Sequence, residues 1–103
     1  MVEVNGLSEV ERELYERLKE VVDPEFGFSI VERGLIDEIE VKGDKAKIVY
    51  HLTVPFCPPV FALHIGREIK RKALSIPRVK EVEVRVQGHI QEEEINKALK
   101  EGE

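Results

Sequence analysis

One cysteine, Cys57, stands in a chain of 103 residues. A lone thiol permits no internal disulfide, so the fold does not need an oxidising compartment. The histidines are equally sparse. His51, His64 and His89 never pair at the short spacings of common zinc motifs, which argues against a closed zinc site. No apolar run approaches the roughly 20 residues of a membrane span. The start, Met1-Val2-Glu3-Val4-Asn5-Gly6, has neither the basic residues nor the apolar run of a secretory signal. These absences predict a cytoplasmic chain with no membrane partner. Basic excess is missing too. The 16 Lys and Arg against 21 Asp and Glu leave a net charge of -5, and general nucleic-acid binding usually needs a basic face. There is no phosphate-cradling glycine loop and no Gly-x-Ser-x-Gly elbow. A chain this short also has little room for a substrate pocket beside its core. The expectation is a protein that is not an enzyme.

What is present is strong periodicity. The length predicts one domain over 1–103. Ser8 and Glu11 fit a capping box, and Val10, Leu14, Leu18, Val21 and Val22 follow on one helical face, stopped near Val22 because Pro24 disfavours a helical Asp23. Asp23 to Ser29 is a turn in which Gly27 can supply a positive φ. Leu35, Ile39 and Val41 alternate with Glu38, Glu40 and Lys42, while Asp37 breaks the pattern on the apolar side. Gly43-Asp44 suits a two-residue type II′ hairpin. The returning strand puts Ala46, Ile48, Tyr50, Leu52 and Val54 on one face. Phe61, Ile65, Ile69 and Ala73 then repeat at helical spacing, widened by Ala62 and Leu74. Gly66 interrupts that helix, through either close packing or room for a partner. Val82, Val84 and Val86 mark a third strand, and a short helix over 91–100 is anchored by Ile95 and Leu99. The order helix-strand-strand-helix-strand-helix predicts an α+β fold: a two-layer α/β sandwich with a small mixed three-stranded sheet. The third strand is expected beside the first.

The chemistry-bearing stretch is His51-Leu52-Thr53-Val54-Pro55-Phe56-Cys57-Pro58-Pro59-Val60. It passes from strand to helix through a stiff bend. Pro55 ends strand pairing, and Pro58 or Pro59 suits the first helical position. A thiol there meets the free N–H groups and the dipole of the helix start, which favour thiolate. The alternative for Cys57 is a small buried hydrophobe. His51 shares a strand face with Thr53 and is the histidine best placed near the bend.

Several stretches, taken together, resemble the MIP18-like domain, also called DUF59, PaaD-like or SufT-like. They are Asp23-Pro24-Glu25, Gly34-Leu35-Ile36, Thr53-x-Pro55-x-Cys57-Pro58, and Ala73-Leu74-x-Ile76-Pro77-x-Val79-x-x-Val82-x-Val84. The likeness spans about residues 8–86. Arg33 and Arg78 depart from it, standing where leucine and glycine are common. The resemblance implies a factor for assembling or maturing iron–sulfur proteins: a carrier, scaffold or adaptor. It implies that Cys57 is the functional thiol, binding a cluster or iron transiently, with Asp23, Glu25, Thr53 and Pro58 as companions. Turn formation by Asp23 and Glu25, and a loop hydrogen bond from Thr53, are the structural alternatives. One thiolate cannot hold a cluster that wants about four ligands. The remainder would come from a second copy in a homodimer, from small thiols, or from the implied partners, which are iron–sulfur assembly proteins and apo clients. A metal-free adaptor with a structural cysteine is the other function kept open.

Overall fold

Short-range rules fix the first helix. Ser8 caps α1 (Glu9–Leu18): its hydroxyl accepts the Glu11 N–H at 3.2 Å, and Glu11 Oε1 accepts the Ser8 N–H at 2.9 Å. This reciprocal pairing satisfies two of the donors a helix start leaves open. The computed structural model describes residues 6–23, 27–52 and 58–101. The helix ends at Leu18, short of the expected stop near Val22. Tight turns close it, with Glu20 N donating to Arg17 O and Val21 N to Leu18 O. The cause is tertiary. Val21 O accepts the Ile30 N–H at 3.0 Å, and Val22 bridges Ser29. Strand-like pairing to a later segment thus takes over residues that have the helical period.

The hairpin forms as its turn chemistry demands. β1 (Ile36–Lys42) pairs antiparallel with β2 (Lys45–Tyr50), and Lys42 faces Lys45 across the turn. Gly43 has φ +62°, whereas no non-glycine residue among those described has a positive φ, as a type II′ turn requires. After β2 the chain crosses over through α2 (Pro59–Leu74) to β3 (Glu81–Val86), and α3 (Glu92–Glu101) follows. The α+β architecture and element order match the sequence expectation. The strand order does not: it is β1-β2-β3, with β3 parallel to β2 and not beside β1. The whole of β2 pairs in step with β3, from Lys45↔Glu81 to Tyr50↔Val86. On the outer border of β1, Glu11 Oε2 from α1 takes the Val41 N–H at 2.7 Å.

One face of the sheet is covered. Ile39, Ile48, Tyr50, Val84 and Val86 are buried against helix residues such as Leu14, Leu18, Ile65, Ile69 and Leu99. The other face carries Glu40, Lys45, Glu81, Glu83 and Arg85 to solvent. Within α2 the buried stripe is Ala62, Ile65, Gly66, Ile69 and Ala73, and Leu74 is 43% exposed instead of widening it. No described helix is long and apolar enough to cross a membrane.

Candidate functional site

Because β2 and β3 run parallel, their C-terminal ends lie at the same end of the sheet. There β2 hands over to α2. Two bonds fix the approach. His51 N donates to Leu35 O at 2.9 Å, extending the hairpin by one residue pair. The Tyr50 hydroxyl donates to Ala62 O at 2.7 Å, pinning the first turns of α2 against the strand end. Burial of the phenol pushes its pKa above the ordinary value, so Tyr50 serves as a neutral donor. On the far side of the bend, Pro58 is the N-cap of α2 (φ -54°, ψ 136°) and Pro59 occupies the first helical position. Among the described residues no side chain caps this helix, and its first turn has no acidic residue. No described side chain therefore neutralises the positive end of its dipole.

A carboxylate–imidazole pair stands at the same end, on the face of the sheet away from the helices. Asp37 falls where the register of β1 shifts between Ile36 and Glu38. That bulge turns Asp37 out of the apolar row, which explains its break in the sequence pattern. Its carboxylate oxygens lie 3.0 and 2.9 Å from His51 Nδ1, and Gln87 Nε2 donates to Oδ2 at 2.9 Å. For a neutral imidazole this places the proton on Nδ1 and leaves Nε2 as an acceptor. The His51 side chain is 40% exposed and Asp37 only 19%, so the carboxylate is the sheltered partner. An imidazole oriented in this way can take a proton or ligate a metal.

Asp23 closes the neck of the preceding loop. It is 4% exposed, its N–H donates to Phe28 O at 2.8 Å, and its C=O accepts the Gly27 N–H at 2.7 Å. Gly27 takes the positive φ expected of it, +77°. A chain of backbone bonds then leads to the strand end: Ile30 N to Val21 O, Leu35 N to Ile30 O, and His51 N to Leu35 O. The acidic turn and the start of the cysteine bend are thus joined through the backbone.

Of the residues marked from sequence, Pro58 lies at the exposed start of α2 and Asp23 at the loop neck. Cys57, Thr53 and Glu25 lie outside the described residues. Among the described residues no group of three or more His, Cys, Asp or Glu side chains comes together to hold a metal. Sequence reasoning missed Asp37 as the partner of His51 and Gln87 as the donor that holds Asp37. The signal available was the misplaced Asp37 in an otherwise alternating strand.

Residues 11–86 match the sequence profile of a family described as iron-sulfur cluster assembly protein. The chain belongs to that family. It is similar to an uncharacterised protein of Methanocaldococcus jannaschii, at 43% identity over 84% of this chain and 90% of that one. It is also similar to the Fe-S protein maturation auxiliary factor YitW of Bacillus subtilis, at 37% identity over 67% of each chain. Among solved structures, a DUF59 domain from Bacillus anthracis superposes with a TM-score of 0.70 at 30% identity, covering 90% of both chains. The likeness to the MIP18-like, or DUF59, family is thereby shown, fold included. The matched residues run from within α1 to the last residue of β3 and so contain the whole bend.

Proposed function

We propose that the chain is a non-catalytic iron–sulfur assembly factor of the cytoplasm that handles a cluster or iron as cargo through Cys57. The observation that carries this reading is the helix start that follows the cysteine. Cys57 immediately precedes the N-cap of α2, where two prolines, the lack of a capping side chain among the described residues and a first turn without a carboxylate let the dipole favour a thiolate. Membership of an assembly family supports the cargo. His51, oriented by Asp37, supplies a second donor at the same end of the sheet, and Asp23 and Glu25 would shape the neighbouring loop. One thiolate and one imidazole still fall short of a full ligand set. The cluster is held jointly with a partner protein or a second copy and is released readily, as transfer requires.

Anaerobic reconstitution with iron and sulfide tests this. Wild type is expected to gain visible absorption and bound iron, and Cys57→Ser to lose most of both. Equal loading of the two proteins would remove Cys57 from the role. The second reading, a metal-free adaptor, draws on exposed Phe28 and Val60, the latter 65% exposed. It predicts that Cys57→Ala restores client maturation in a deletion strain whereas Phe28→Glu or Val60→Glu does not.

A further inference from the structure

β3 borders the sheet, and its outward backbone is only partly used. Its parity is fixed at both ends. Glu81 N donates to Asp44 O at 3.1 Å and Gln87 N to Tyr50 O at 2.9 Å, so odd-numbered residues face β2. Val86 faces outward, where the Asn96 side chain mimics a strand: its Oδ1 accepts the Val86 N–H at 2.8 Å and its Nδ2 donates to Val86 O at 3.0 Å. By alternation the N–H and C=O of Val82 and Val84 also point away from the sheet. They have no hydrogen-bond partner among the described residues. Alongside runs a groove of about 850 Å³ between β3 and helices α2 and α3. Its walls include Lys70, Lys80, Lys97, Lys100 and the exposed Leu74. Glu81, Glu83 and Arg85 border it from the solvent face of the sheet, with Glu81 engaged by Lys45 at 3.4 Å. On the helix side stand two carboxylates, Glu92, which accepts the Gly88 N–H at 2.8 Å, and the exposed Glu93, so the four lysines are in excess there. Lys80, Lys97 and Lys100 have no carboxylate within 4 Å among the described residues.

We propose that this border receives an extended segment of a partner protein, alternating acidic and apolar residues, as a fourth strand. Main-chain bonds to Val82 and Val84 would hold it, and Asn96 would mark where pairing stops. Alternate side chains would then point into the groove, where an apolar residue meets Leu74 and acidic ones meet the lysines. A second copy fits less well, because two-fold pairing of β3 with itself brings one lysine-bordered groove against another. The surface is independent of Cys57 and stands whether or not that thiol carries cargo.

The probe is a blocked peptide of alternating glutamate and valine, with a lysine–valine peptide as control, followed by amide exchange in nuclear magnetic resonance at low salt. The acidic peptide is expected to slow exchange at Val82 and Val84 about ten-fold or more and to leave Val86 unchanged. The basic peptide should do nothing. Val82→Pro removes an outward N–H while keeping the bonds to β2, and should weaken binding about ten-fold. The double variant Lys97→Glu/Lys100→Glu, changed only on the exposed side of α3, should weaken it similarly. Binding that survives both variants, slowing confined to other residues, or no binding at millimolar peptide would overturn the proposal. So would a free chain that sediments as a dimer with Val82 and Val84 already protected.

Discussion

Gly66 has no room for a methyl group. A Cβ built there would lie 2.5 Å from Leu99 Cδ2 and 2.8 Å from the Tyr50 hydroxyl. Leu99 can rotate, but Tyr50 is held by its bond to Ala62. In an open helix, alanine would gain about 1 kcal/mol over glycine; overpacking a tight contact costs about 1–3 kcal/mol. Gly66→Ala is therefore expected to lower stability by about 1–2 kcal/mol in urea unfolding. Adding Leu99→Ala should show positive coupling, the pair costing less than the sum of its members. An unchanged midpoint in Gly66→Ala would mean slack in this contact. Of the two explanations the sequence allowed for Gly66, the packing against α3 and β2 selects close approach. Such an approach joins residues 66 and 99, which no local period could link. The pairing of Asp37 with His51 was hidden for the same reason, since it depends on a bulge. It carries its own expectation. In wild type the neutral His51 ring should hold its proton on Nδ1, and Asp37→Asn should shift the tautomer towards Nε2–H. Long-range nitrogen–proton spectra of the imidazole read this directly, and identical spectra would sever the link.

At the scale of elements, periodicity did its work wherever one face is buried. α2 and β3 follow from spacing alone, and the capping box placed the start of α1 to the residue. Failures came where partners distant in sequence decide. Val21 and Val22 left the helix because Ile30 takes the Val21 carbonyl and Phe28 the Asp23 N–H, on either side of the Val22–Ser29 bridge. The third strand was expected beside the first, yet the outer border of β1 is guarded by Glu11 from α1. The two borders of the sheet thus share one device, a helix side chain that takes up backbone groups of the edge strand. On β3 that side chain is Asn96. Asn96→Ala removes both of its bonds to Val86 and should cost about 1–2 kcal/mol, with faster amide exchange at Val86. Asn96→Asp keeps an acceptor for the Val86 N–H but sets a charge against the Val86 carbonyl, so it should not restore stability. Full stability in either variant would show that α3 is held by Ile95 and Leu99 alone.

At the scale of the whole molecule the same guard makes stability depend on pH. Glu11 uses both oxygens, one on the Ser8 N–H and the other on the Val41 N–H. The Ser8 N–H foremost, with Val41 adding to it against partial burial, holds its carboxyl below the usual carboxylate range. A depressed folded pKa means that the stabilisation is complete above the unfolded value, near 4.3, and is lost as pH falls through the folded one. Glu20 beside Lys72 and Glu68 beside Arg71 are shifted the same way, but both are surface pairs that salt screens. The melting temperature is thus expected to be flat from about pH 8 to 5 and to fall steeply towards pH 3. Charge-driven association near the isoelectric point of about 5.3 is a separate effect, removed by working dilute. Glutamine at position 11 has one oxygen where two acceptors are needed. Glu11→Gln should therefore be less stable than wild type by about 1–2 kcal/mol at pH 7, and the two proteins should converge near pH 3. Thermal scans by circular dichroism across that range decide the matter. Parallel curves with a constant gap would show that the loss is one of packing, and that the acid sensitivity lies in other carboxylates.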